Sequence, residues 1–183
     1  MNTHRLQSNL DFQLMTFWLR LRDLIKPPYN LLKTIGLEPG MTVLDYGCGP
    51  GGFALAAARI VGPQGKVIAV DIHPASLALM RRKAQSEKYR HLIPMLPEEL
   101  FRFSNPFADL VILNDVLHAL RDPTEALAII HRALKPSGFL TVNDHHLTGW
   151  SLFSAVFSSG FFEFKHAWPD LKTIKSFRKK RHE

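Results

Sequence analysis

One short stretch of glycines around an acid carries the clearest chemical signal in the chain. Val43-Leu44-Asp45-Tyr46-Gly47-Cys48-Gly49-Pro50-Gly51-Gly52 leads from an apolar segment into a helical one. Glycines in a strand-to-helix loop turn tightly and let a ligand reach the backbone with no Cβ in the way. A second acid, Asp71, ends the next apolar segment 19 residues after Gly52. At that distance a carboxylate can accept both hydroxyls of an adenosine ribose.

Two cofactor classes compete for this loop. Gly47, Gly49 and Gly52 satisfy the G-x-G-x-x-G spacing of dinucleotide binders, which is a weak pattern by itself and leaves a nicotinamide-dependent oxidoreductase as an alternative. Asp45 argues the other way. A dinucleotide lays an anionic pyrophosphate over the loop, which a carboxylate on the same strand would oppose. S-adenosylmethionine brings a cationic ammonium and sulfonium and no phosphate.

Three histidines stand where proton transfer could be needed. His118 follows the fourth apolar segment, and His145 and His146 follow the fifth. Each is a candidate general base at the carboxyl edge of a sheet, where ligands of open α/β sheets bind. In extended chain only one of His145 and His146 can face a pocket. Asp115, Asn143 and Asp144 also end neighbouring strands and supply oxygen ligands, but no metal site is assigned to them.

The elements that must position these residues follow from apolar periodicity. Leu10, Leu14, Phe17, Trp18, Leu21, Leu24 and Ile25 share one face of an N-terminal helix that Pro27 and Pro28 end, and a short helix covers Tyr29 to Ile35. Strands are predicted at Thr42 to Tyr46, Lys66 to Asp71, His91 to Leu96, Ala108 to Asn114 and Phe139 to Asp144. Helices are predicted at Phe53 to Val61, Pro74 to Ser86 and, from a capping-box pattern at Asp122-Pro123-Thr124-Glu125, up to Leu134. Short unalternating apolar strands joined by helices make a parallel sheet covered on both faces, a doubly wound α/β fold. Phe162 to Trp168 and Lys172 to Lys179 flank Pro169-Asp170 as a terminal β-hairpin.

With 183 residues, 46% hydrophobic and 21% charged, the sequence suits one globular domain: a helical cap over 1–36, a cofactor-binding core over 37–144, and a helix and hairpin over 145–183. The net charge of +7 is concentrated near the end, at Lys172, Lys175, Arg178, Lys179, Lys180 and Arg181. Such a run reads as a solvated face, with nucleic acid or an anionic lipid surface as the alternatives. Cys48 is the lone cysteine, so no internal disulfide framework exists and a reducing cytoplasm is the expected compartment. No apolar signal core opens the chain, and the uncharged run Leu147 to Phe162 is short for a bilayer span.

The sequence resembles the class I S-adenosylmethionine-dependent methyltransferases, in particular the small-molecule type of ubiquinone and menaquinone biosynthesis. The resemblance rests on the loop Val43 to Gly51, on Val67-Ile68-Ala69-Val70-Asp71-Ile72, on Phe107 to Ile112 leading into Val116-Leu117-His118, and on Leu134-Lys135-Pro136-Ser137-Gly138-Phe139-Leu140. It implies a Rossmann-like sheet of seven strands, mostly parallel, which the C-terminal antiparallel hairpin completes. It also implies that the backbone of Gly47, Cys48, Gly49 and Gly51 borders the methionine moiety with Asp45 near its amine, that Tyr46 belongs to the same cofactor-binding loop, that Asp71 holds the ribose, and that Ile72 stacks on adenine. Asn114 and Val116 would border the methyl donor. Where the family has an acidic turn after the third strand, this chain has Met95-Leu96-Pro97, and Glu98 or Glu99 is the candidate substitute.

The Asp/Asn-Pro-Pro-Tyr tetrad of amino-methylating DNA enzymes is replaced here by Asn114-Asp115-Val116-Leu117, which points away from nucleic acid as substrate. The expected acceptor is a small apolar or aromatic molecule roofed by Phe17 and Trp18 and by the Trp150 to Phe162 segment, with weak membrane-surface contact a further expectation. A non-catalytic S-adenosylmethionine-binding adaptor is the rival reading, because every motif reports binding and none reports turnover.

Overall fold

The computed structural model describes residues 21, 25, 27–147, 149–167 and 174–180. Of the expected N-terminal helix, only Leu21 and Ile25 fall among these; Phe17 and Trp18 lie outside them. The cap is therefore represented chiefly by α1 (Pro28–Thr34), whose proline at the first helical position has no N–H to lose and whose Leu32 is completely buried.

Seven strands follow: β1 (Thr42–Tyr46), β2 (Lys66–Val70), β3 (Leu92–Met95), β4 (Ala108–Asn114), β5 (Leu134–Asn143), β6 (Phe162–Ala167) and β7 (Lys175–Lys179). The crossovers are α2 (Gly52–Val61), α3 (Pro74–Ala84), α4 (Pro123–Ala133) and α5 (Trp150–Phe157). The sheet order is β3-β2-β1-β4-β5-β7-β6, and β7 alone runs antiparallel to both its neighbours. The doubly wound α/β fold and the terminal hairpin expected from the sequence are both present. The turn of that hairpin lies outside the described residues.

Alternation along the strands divides the core in two. Leu44, Ile68, Val111 and Leu140 face α4 and α5, against Leu127, Ile130, Leu152 and Val156. Val43, Val67, Leu110 and Phe139 face α1 and α2, against Leu32, Ala57 and Ile60. Strands buried on both faces need apolar residues at consecutive positions, hence their unalternating sequences.

One local feature departs from the sequence reading. Strand β5 starts pairing at Leu134 rather than Phe139, but Ala108 faces Leu134 while Leu110 faces Phe139, so Lys135 to Gly138 bulge out of register. Gly138 is needed there, because a Cβ would stand 2.8 Å from the Ala108 carbonyl oxygen. The helix before it begins as expected, with Asp122 accepting hydrogen bonds from the amides of Thr124 at 2.9 Å and Glu125 at 3.2 Å.

The basic C-terminal run is partly built into the sheet. Arg178 pairs with Glu163 at 2.7 Å, and Lys179 donates to the Leu134 carbonyl at 3.1 Å, where burial lowers its pKa. No helix among the described residues is long and apolar enough to cross a membrane.

Candidate active site

Strand β1 lies between β2 and β4, so the chain leaves the sheet in opposite directions on either side of the β1–β4 boundary. Such a switch point opens a crevice at the carboxyl ends of the strands. A cleft of about 240 Å³ occupies this place. Of the residues singled out in the sequence, Asp45, Tyr46, Gly47, Cys48, Gly49, Asp71, Ile72, Asn114 and Val116 all line it.

The loop is shaped by two close approaches. Gly47 has φ +84°, and a Cβ on it would collide with the side chain of Val116. Gly49 has φ +50°, and a Cβ there would meet nothing within 4 Å, so this glycine opens onto the cleft. The carboxylate of Asp71 ties the loop to the next strand: Oδ2 accepts from the Gly49 amide at 2.7 Å and Oδ1 from the His73 amide at 2.7 Å. Each oxygen retains a lone pair for a hydroxyl of the ligand. Asp71→Ala is therefore expected to weaken binding of an adenosine ligand by about 1 to 3 kcal/mol, with loop slackening included in that loss. Calorimetry with the product S-adenosylhomocysteine measures it, and an unchanged affinity would remove Asp71 from the site.

Two residues expected at the cofactor stand elsewhere. Gly51 caps the N-terminus of α2 in a left-handed conformation, and a Cβ on it would strike the end of Met80 on α3, so it serves helix packing and not the cleft wall. Glu98 is exposed in the 3-10 turn Pro97–Arg102 and is not on the wall. Its neighbour Glu99 is the one turned inward, accepting from the Leu96 amide at 2.8 Å and pairing with Arg102 at 2.9 Å. Pro97 takes the wall position instead. Sequence reasoning missed Phe53, Leu120 and Pro97 as wall residues, since no spacing rule marks them.

The electrostatics of the cleft are one-sided. Among the described residues three carboxylates line it, Asp45, Asp71 and Asp115, and no lysine, arginine or histidine does. Asp45 is 2% exposed. Burial pushes the Cys48 thiol well above its usual pKa, and the charges of Asp45 and Asp71 push it further. Cys48 is thus a protonated thiol at neutral pH and no nucleophile. Burial, then Glu125 and Glu98, likewise raises the Tyr46 phenol, which stays neutral.

At one end of the wall the three histidines gather. Pairing of Asn114 with Asn143 in the β4–β5 ladder brings residues 115–118 beside 144–146. His118 Nδ1 lies 2.9 Å from Asp144 Oδ2, and the same buried carboxylate accepts from the amides of His118 and His146, each at 3.0 Å. His145 Nδ1 lies 2.6 Å from Asp115 Oδ1. The chain bends after β5 instead of staying extended, so the rings of His145 and His146 sit 4.0 Å apart, and both neighbour His118. The bend removes the extended-chain alternation that would let only one of the adjacent pair face a pocket, and neither His145 nor His146 is among the described residues that line the cleft. Among the described residues no group of three or more His, Cys, Asp or Glu side chains is arranged to hold a metal ion.

The Trp150 to Phe162 segment does not roof the cleft. Phe153 and Phe157 stack at 5.7 Å and pack with Phe164 and Phe177 against the hairpin, which is ordinary core packing, while Trp150 is 78% exposed.

The described geometry has relatives. A ubiquinone/menaquinone biosynthesis C-methyltransferase of Vibrio campbellii is 36% identical over 110 residues, covering 58% of this chain and 42% of that protein. A 2-phytyl-1,4-naphtoquinone methyltransferase of Synechocystis is 33% identical over 125 residues, covering 66% and 52%. The chain thus spans about half the length of these curated relatives or less. A solved S-adenosylmethionine-dependent methyltransferase from Aquifex aeolicus superposes with a TM-score of 0.68 at 23% identity, covering 84% of this chain and 88% of that one, and so shares the fold. The family model described as a methyltransferase domain matches residues 37–178, and the chain belongs to that methyltransferase family.

Proposed function

We propose that this protein transfers a methyl group from S-adenosylmethionine to a small apolar or aromatic acceptor, leaving S-adenosylhomocysteine. The carrying observation is a cleft at the sheet's switch point whose wall, among the described residues, bears three carboxylates and no basic side chain. A sulfonium and an ammonium are stabilised there, whereas a pyrophosphate would be repelled. The residues fit the cofactor: Gly49 leaves open space for it, Asp45 is a buried acid suited to its amine, Asp71 is a wall carboxylate suited to ribose hydroxyls, and Ile72, 43% exposed, offers an apolar surface for adenine.

When bound, S-adenosylmethionine supplies a methyl carbon already activated by positive sulfur. The protein then needs to align the acceptor and exclude water, and positioning of this kind contributes on the order of 7 to 11 kcal/mol. An acceptor hydroxyl or acidic carbon must also lose a proton. The cluster of His118, His145 and His146 beside the cleft wall provides the base. An acceptor of quinone-like chemistry is supported by the names of the two curated relatives, both of which refer to quinones. A cytoplasmic setting agrees with a single, buried thiol.

Incubation of the full chain with labelled methyl donor and separate panels of hydroxylated naphthalenes, phenols, RNA and DNA tests the reading. Label is expected in the small aromatic panel. Deleting residues 1–26, which include Phe17 and Trp18, is expected to remove transfer while leaving donor affinity within about tenfold, roughly 1.4 kcal/mol. Label appearing in RNA or DNA, or calorimetric binding of NADH without S-adenosylmethionine, would overturn the proposal.

A further inference from the structure

Asp115 has φ +54°, and among the described residues it is the one non-glycine with positive φ; eight glycines hold the other such positions. The left-handed region is unfavourable for a residue with a Cβ, although aspartate and asparagine tolerate it best. A simple turn between β4 and the next segment could be made by glycine, as it is elsewhere in this chain. Strain kept at a cleft residue points to a use for the side chain.

The side chain of Asp115 is held from several directions. It lines the cleft, and its Oδ1 accepts from the amide of His145 at 3.1 Å and lies 2.6 Å from that residue's ring Nδ1. Oδ2 accepts from the Asn114 amide group at 3.0 Å, and Asn114 Oδ1 accepts from Asn143 at 2.8 Å. The Asp115 backbone amide donates to the Asn143 carbonyl at 2.7 Å. The carboxylate is only 12% exposed, while the His145 ring is 65% exposed.

A carboxylate at Nδ1 favours the tautomer with hydrogen on that nitrogen, which leaves the Nε2 lone pair open. We propose that Asp115 is a positioning residue that holds His145 in this tautomer beside the cleft, making His145 the member of the cluster that takes the acceptor's proton. The inference rests on the methyl-transfer reading above. In balance, the proton of an acceptor O–H or acidic C–H passes to Nε2 of His145. The released electron pair forms the bond to the methyl carbon, and the electrons of the broken sulfur–carbon bond remain on sulfur as a neutral thioether. The imidazolium then returns its proton to solvent.

The test uses two variants of the full chain. Asp115→Asn keeps the left-handed backbone and one accepting oxygen, and Asp115→Gly relieves the strain but removes both oxygens. Nitrogen-15 NMR of the imidazoles in the ligand-free protein should show His145 with hydrogen on Nδ1 in the native chain. The Gly variant should shift toward hydrogen on Nε2, as in a free imidazole, and the Asn variant should lie between. With saturating donor and acceptor, kcat should fall about hundredfold in the Gly variant and by a smaller factor in the Asn variant, a range typical of losing general-base assistance. An unchanged His145 tautomer in both variants, or full kcat in the Gly variant, would overturn the inference. If the tautomer moves as expected but the native chain labels no acceptor, the methyl-transfer reading fails while the positioning of the ring stands.

Discussion

Gly49→Val is expected to yield a folded protein whose affinity for S-adenosylmethionine has fallen at least about hundredfold, roughly 2.8 kcal/mol. A Cβ at this position meets nothing within 4 Å, so no protein atom is displaced and the added methyls grow into the cleft. Gly47 offers a less clean test, since its Cβ would drive into Val116 and disturb the wall itself. At φ +50° valine also carries backbone strain, about 1 to 2 kcal/mol for a residue with a Cβ. Gly49→Ala is the control, because alanine carries much of that strain with little bulk. Thermal melts report the strain, and calorimetry reports the occupancy of the cleft. Valine should lose far more affinity than alanine at a similar melting temperature. Equal and undiminished affinities in the two folded variants would place the cofactor away from this loop.

The parts of this fold legible in the sequence are those whose cause is local. Strand β1, the glycine loop and α2 can be read because apolar runs, glycine and helix periodicity each act within a few residues. Asp122 is read as a cap for the same reason, and its two hydrogen bonds go to amides two and three residues on. What could not be read depends on register between strands. His118 and Asp144 are 26 residues apart in sequence, and nothing local joins them. Only the pairing of Asn114 with Asn143 brings them together. The same pairing delivers His145 to Asp115, whose strained backbone has no sequence signal beyond the mild tolerance of aspartate for that region. The side-by-side placement of His145 and His146 was hidden because alternation holds only while the chain stays extended. Glu98 illustrates a different limit. Adjacent glutamates are equivalent by composition, and which one turns inward was decided by the free amide of Leu96.

Asp144 lies outside the cleft wall, yet its loss should be costly. Its side chain has no solvent exposure and receives the amides of His118 and His146 as well as the His118 ring. Asp144→Ala strands these donors together and is expected to destabilise the chain by about 3 kcal/mol. For a domain of this size that is a fall of roughly 6 to 12 °C in Tm. The dependence on pH separates charge from packing. Burial by itself would raise the Asp144 pKa. The hydrogen bonds from the His118 ring and from the two amides, with attraction to His118, outweigh it and leave the carboxyl below the usual aspartate value. A group depressed in the folded state contributes its stability fully above the unfolded pKa, about 3.9, and loses it as pH falls through the folded value. Asp144→Asn keeps the shape but has no such charge. The Tm gap between native chain and Asn variant should therefore be widest near neutrality and shrink below about pH 4. A gap of the same size at pH 7 and pH 3 would show that shape and neutral hydrogen bonding, not the ionised carboxylate, hold the histidine cluster against the sheet.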